Sequence, residues 1–286
     1  MTRREQPGNG ARDAGDQRVR GAARQGDGEA VDVDDVDDGP AFAAACAPLI
    51  GALGSGFMSS SQAKAMSKEL GMSGRQAYML GRGGVLGDVD ADVVTAAFGF
   101  WPADVIREIW ESARAIADVR TARDAFMATC RAWGRVHYAD LTGKQATRLA
   151  ELLAWVVDGT DVAGLPLYAG WRAVALPVDD LEQVAQQLHV LREYRGGVHL
   201  MAVVGSGITP LQAVLAGPGG QAGAAVLGWE APFEDIRDVA VARAQAEALT
   251  DSLVSVSFDA LGHDERIELL ALLGAASQAA FGPSAA

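Results

Sequence analysis

Arg192, Arg195 and His199 are the residues of this chain whose types and spacing could do chemistry together. At about 100° per residue they fall on the same third of a helical wheel as Val184, Leu188, Leu191, Ala202 and Val203. Guanidinium groups on an apolar stripe are costly to bury unless an anion or an acidic partner meets them. One reading is a cationic patch facing an internal pocket, suited to a carboxylate, enolate or carbonyl oxygen. His199 would then be the catalytic acid–base, because an imidazole with a pKa near about 6.5 populates both states at neutrality. Arg192 would be its catalytic partner, polarising or anchoring an oxygen without losing its proton. Arg195 would bind substrate, as would Tyr194 if a kink at Gly196-Gly197 turned its ring toward the pocket mouth. Two structural readings stand beside this one. The arginines could pair with acids on neighbouring helices, or Gly196-Gly197 could break the helix and spoil the phase. His189 and Glu193, one turn apart on the opposite flank, read as a surface pair rather than a metal site.

Other motifs fail on their own terms. Gly143-Lys144 lacks the glycine that a phosphate-binding loop needs five positions earlier, where Tyr138 stands. Gly205-Ser206-Gly207 runs on to Pro210 with no strand before it, and neither Ser55 nor Ser206 sits in a nucleophile elbow. Asp88, Asp90 and Asp92 begin like a calcium loop, but Val93 and Gly99 replace its central glycine and closing glutamate. Four histidines and no HExxH leave no expected metal, and nothing calls for a cofactor. Lys64 to Arg82 imitates a helix-turn-helix around Gly71, with Leu70, Ala77 and Leu80 at its core positions and Lys64, Lys68, Arg75 and Arg82 outnumbering Glu69. The alternative is an ordinary helical hairpin, which Gly74 in the supposed reading helix favours.

Charge points away from duplex DNA as a partner. The 286 residues carry 24 basic and 37 acidic side chains, a net of −13, so a phosphate track is repelled by the field of the whole protein. Cys46 and Cys130 sit in apolar helical patterns, which excludes a disulfide scaffold and suits the cytoplasm. The uncharged segment from Gly39 to Ala63 holds Pro48, four serines and four glycines, too many breaks for a stable membrane span.

The positioning elements are helical throughout. Residues 1–39 hold six arginines, ten acids and seven glycines with no aromatic, leucine or isoleucine, and read as a disordered acidic tail. Beyond it, apolar periodicity predicts helices from Pro102, over 121–133, 144–157, 179–205 and 233–250, and a last helix capped by Asp264. The expected architecture is all-α, a multi-helix bundle with a helical ligand-binding domain at 40–220 and a further helical unit at 221–286.

Three stretches carry a resemblance. LREYRGGVHLMAVVGSGITPLQAVL (191–215) resembles the LREHRGDGH segment of an actinobacterial SalK-like helical family. GRGGVLGDVDADVVTAAFGFWP (81–102) is similar to that family's GRAAPLG…VVTATFYNF.P stretch, and Glu247, Thr250, Asp251 and Leu261-Gly262 to its EAATDRL…LG tail. The resemblance implies a MarR-like winged helix-turn-helix near the C-terminus, so that the unit at 221–286 would be helix-turn-helix-like, and a setting in natural-product, including antibiotic, biosynthesis. It brings no catalytic assignment. Two positions depart from the family. Gly51 or Ala52 stands where it often has a histidine, and the end of the recognition helix and the wing are missing between Asp238 and Gln245, where Arg237 and Arg243 are the only bases nearby. That unit reads as degenerate, with little left to hold phosphate. The expectation is a cofactor-independent cyclase, lyase or isomerase acting on a largely apolar small molecule with an anionic or carbonyl group. The alternative is a ligand-responsive helix-turn-helix transcription regulator. The expected partner is that small molecule, with a homodimer as the protein assembly entertained.

Overall fold

A computed structural model describes residues 36–282, and every regular element among them is a helix. In chain order these are α1 (Gly39–Ser55), α2 (Ser61–Glu69), α3 (Gly74–Gly83), α4 (Ala91–Phe98), α5 (Ala103–Arg114), α6 (Val119–His137) and α7 (Gly143–Asp158). They continue with α8 (Pro166–Arg172), α9 (Asp180–Gly205), α10 (Pro210–Ala216), α11 (Gly220–Leu227), α12 (Ala240–Ser255) and α13 (His263–Phe281). Local chemistry sets many of the starts. Ser73 with Gln76, Thr142 with Gln145 and Thr209 with Gln212 form reciprocal capping boxes, each closing two otherwise unpaired backbone N–H groups. The all-α expectation holds, and no strand occurs among the described residues to build a wing.

The bundle is arranged around α9. Helices α1, α6, α7, α8 and α12 all pack against it, so its buried residues lie on every side, from Val184, Gln187 and Leu188 to Glu193, Val198 and Val203. Gly196-Gly197 does not break it, and α9 runs unbroken for 26 residues. The expected surface pair of His189 and Glu193 is therefore wrong: both are buried, at 0% and 2% exposure. Between 184 and 194 the helix is enclosed by its neighbours and offers no solvent flank; only farther on do Met201 and Val204 reach solvent.

Helix α1 and the turn after it, Gly39–Ser59, are long and apolar enough to cross a membrane by length and composition. Here Phe42, Cys46, Ile50 and Leu53 are buried against α9, α12 and α13 instead. The expected tail lies outside the described residues as far as 35, but its end belongs to the fold. Val36 is buried, its carbonyl accepts from Arg266, the Asp37 carboxylate meets His263, and Asp38 caps α1. The main core joins α1, α3, α6, α7 and α9 to Val254, Phe258, Leu269 and Leu273 from the chain's last third. A second cluster of Val203, Ile208, Ala213, Val239 and Ala246 and a third of Leu211, Leu215 and Ala224 cover the far end of α9.

Two expected boundaries shift. Helix α12 starts at Ala240 rather than 233, because Pro232 precedes a local turn in which the Asp235 carboxylate accepts from the Arg237 backbone N–H. The cap of α13 is Gly262, whose N–H donates to Glu265, and Asp264 lies inside the first turn.

Candidate functional site

The middle of α9 forms one wall of a cavity of about 410 Å³. Ile50 and Gly51 of α1, Tyr78 and Arg82 of α3, Phe98 at the end of α4, Phe100 and Trp101 beyond it, and Leu165 and Tyr168 at α8 supply the others. From α9 come Arg192, Glu193, Arg195, Gly196 and Leu200. The volume lies within the usual range for a small-molecule site, roughly 300–1,000 Å³, and the lining is mainly apolar and aromatic with a few charged groups.

Those charged groups form one cluster. Arg82 grips the Glu193 carboxylate with two parallel hydrogen bonds, from Nε to Oε1 at 2.8 Å and from Nη2 to Oε2 at 2.7 Å. Arg192 Nη1 donates to the same Oε1 at 2.7 Å. Burial alone would raise the Glu193 carboxyl, but the two guanidiniums outweigh it and hold the group down at about 2. Arg82 also lies over the Phe98 ring at 4.4 Å, which orients its fork toward α9. At neutral pH this part of the wall therefore carries two positive charges against one negative.

The four residues singled out from the sequence divide into two pairs. Arg192 and Arg195 line the cavity. Arg195 is also bonded through Nη2 to Asp251 at 3.2 Å and Glu247 at 3.4 Å on α12, where Arg243 holds Glu247 from its other side at 3.0 Å. Both readings of the stripe thus apply to Arg195, which faces a cavity and is paired. His199 is outside the lining. Its ring stacks on Phe100, with Nδ1 3.0 Å from Thr250 Oγ1 and 3.9 Å from Glu247. The Thr250 hydroxyl donates to the Ala246 carbonyl at 2.6 Å, so His199 Nδ1 carries the proton in this contact. Burial lowers the imidazole below its ordinary range, against the pull of Glu247. Tyr194 also lies outside the lining, packed on Tyr168 with ring centres 5.1 Å apart.

Arg82, Glu193, Tyr78 and Trp101 were not among the expected site residues. The sequence places Arg82 among the bases of the helix-turn-helix-like segment from Lys64 to Arg82. No local signal announces the pair: Arg82 lies 111 positions from Glu193, and residues 184–203 mix Gln186, Gln187, Arg192 and His199 with their apolar positions.

The profile of a helix-turn-helix family matches residues 43–233. The chain belongs to this helix-turn-helix family. No curated protein and no solved structure matches it. In this family member, α2, the turn at Leu70–Ser73 and α3 have the lengths and order of such a motif. The second helix is nonetheless largely enclosed. Ala77, Met79, Leu80, Gly81 and Gly83 are buried, with α5 and α6 packed against the helix. Its bases are turned onto protein: Arg82 onto Glu193, and Arg75 onto the Trp101 ring and the Val226 carbonyl. Gln76, a residue type that reads adenine in other motifs, donates to Ser112 at 3.0 Å.

Proposed function

We propose that this helix-turn-helix family member binds a small, largely apolar molecule in the cavity beside α9, and that the cavity rather than α3 carries its function. The observation that supports this reading is the buried Arg82–Glu193–Arg192 cluster facing an aromatic cavity. A charged group this deep orients a ligand when the rest of the wall is apolar. The reading fits the acidic whole-protein charge and the occupied bases of α3, both of which disfavour duplex DNA at that helix. It also fits a cytoplasmic setting, since both cysteines are free and buried.

The cyclase, lyase or isomerase reading is second. It is supported by the resemblance to the SalK-like family and its natural-product setting, and by the closeness of His199 to Arg195 through their shared neighbour Glu247. It is weakened by the lining itself, which includes no histidine or cysteine and only one carboxylate, held at about 2. Such a wall supplies charge and shape rather than proton transfer near neutrality. The regulator reading rests on the family profile and needs a DNA-contacting surface other than α3.

The test uses 1-anilinonaphthalene-8-sulfonate, an apolar fluorophore with one anionic group. Gly196 is exposed in the cavity lining and has nothing within 4 Å of the position of a Cβ, so Gly196→Leu puts a bulky side chain at the cavity wall without displacing a neighbour. Saturable one-to-one binding by the parent, lost in Gly196→Leu, is expected. Equal binding by both proteins would remove the cavity as the site, and tight, salt-sensitive, sequence-selective DNA binding would promote the regulator reading.

A further inference from the structure

The cavity's charge arrangement says more about the ligand than that it is apolar. Glu193 has one negative charge, and two guanidiniums share it. Arg82 is committed, with Nε and Nη2 both on the carboxylate and its flat face on Phe98. Arg192 is not. Only its Nη1 is hydrogen-bonded among the described residues, and its side chain is 27% exposed at the cavity wall. A guanidinium has five N–H donors, so Arg192, which lines the cavity, keeps an edge of parallel donors available to a ligand there. Arg195 adds no net charge, because on the side of α12 it and Arg243 together balance Asp251 and Glu247. The wall thus has a surplus of one positive charge, held on one planar fork. A single carboxylate matches that charge and shape, whereas a phosphate dianion would leave a negative charge uncompensated beside Glu193.

Much of the remaining lining is aromatic. Tyr78 and Trp101 stack with ring centres 6.1 Å apart, and Phe100 and Tyr168 line the same cavity. Flat π-systems gain more on such walls than branched alkyl chains, through offset and edge-on contacts.

We infer that the cavity takes a monoanionic aromatic carboxylate, its carboxylate on the free edge of Arg192 and its ring system among Tyr78, Trp101 and Tyr168. This rests on the cavity being the binding site, and the two claims fail separately. The full chain is titrated calorimetrically with 2-naphthoate, the neutral 2-naphthylmethanol and the cationic 2-naphthylmethylamine. The same series is run on Arg192→Gln and Gly196→Leu. Arg192→Gln keeps the bidentate Arg82–Glu193 pair, and an unchanged melting temperature checks its fold. Naphthoate is expected to bind at least about tenfold more tightly than the alcohol. Arg192→Gln should abolish that difference while sparing the alcohol, and Gly196→Leu should abolish binding of both. Comparable binding of alcohol or amine, lost in Gly196→Leu, would keep the cavity as the site and overturn the carboxylate. A naphthoate preference that survives Arg192→Gln would move the anion off Arg192 and overturn the inference too. Absence of binding by all three, with the anilinonaphthalene probe still entering the cavity, would overturn the aromatic carboxylate class. If that probe fails as well, the cavity reading itself falls.

Discussion

Glu193 and His189 lie one turn apart on α9, both buried, and differ in what surrounds them. Glu193 is satisfied by two guanidiniums, so removing one partner leaves an uncompensated charge in the interior. Glu193→Leu is expected to destabilise the protein by about 3–5 kcal/mol, measured by urea denaturation. Arg82→Met with Glu193→Leu should recover most of that loss, because the pair leaves together. His189 has no such partner. Its ring sits among Phe57, Phe126 and Trp171, and neither nitrogen is hydrogen-bonded among the described residues. Burial lowers its pKa to about 4, against the attraction of Glu193. The unfolded chain therefore binds this proton between about 6.5 and 4 while the native state does not. Stability is full above about 6.5 and falls through that window, by on the order of 3 kcal/mol. Glu193 adds a lower window, its contribution being lost as pH drops from about 4.5 through about 2. His189→Leu should flatten the upper window and raise stability at pH 7 by about 1 kcal/mol. An unchanged slope between pH 6.5 and 4 would show that the imidazole is not the titrating group. Neither environment was legible in the sequence, since Arg82 lies 111 positions from Glu193 and nothing local announces their meeting.

Helices were far more legible than their faces. Periodicity and Ser/Thr caps are local, so α6, α7 and α9 emerge close to their expected bounds. A wheel assigns a face only when one side is polar, and α9 is enclosed on nearly all sides from 184 to 194, so its stripe locates Arg192 and Arg195 but misplaces Glu193 and His189. The enclosure depends on small residues where helices cross. A Cβ on Gly54 of α1 would sit 2.4 Å from the Leu188 carbonyl oxygen, and one on Gly134 of α6 would sit 2.4 Å from Ala185 Cβ. Backbone oxygen cannot rotate away, so Gly54→Ala must push α1 off α9, at about 1–3 kcal/mol. Because Ile50 and Gly51 lie one turn earlier in the cavity wall, ligand binding should weaken as well. Gly196→Ala is the opposite case. It is mid-helix with open space at its Cβ, and is expected to stabilise by about 0.5–1 kcal/mol. Thermal melts of the two variants should move in opposite directions, and a shared sign would contradict the crossing geometry.

At the scale of the whole molecule, composition gives the acidity and apolar periodicity the all-helical fold, but neither says which helices share a core. The resemblance implies a separate unit at 221–286 after the ligand-binding segment at 40–220, and a linear reading sees only a loop near 217–223 between them. Three-dimensional packing connects the two stretches. Phe258 meets the edge of Phe42 at 5.1 Å, and Val254, Leu261, Leu269, Leu272 and Leu273 enter the core that α1, α7 and α9 share. Helix α12 also holds Arg195, so the cavity's own wall depends on the C-terminal stretch. Each of these six apolar side chains contributes roughly 1.5–3 kcal/mol by burial. Their sum rivals the roughly 5–15 kcal/mol that holds a whole native protein together. A chain ending at residue 220 is therefore expected to lose its cooperative melting transition and its binding of the anilinonaphthalene probe at the cavity, while the full chain unfolds with coincident circular dichroism and tryptophan fluorescence. If the shortened chain instead melts cooperatively and keeps one-to-one probe binding, residues 40–220 are a self-sufficient domain and the shared core is dispensable.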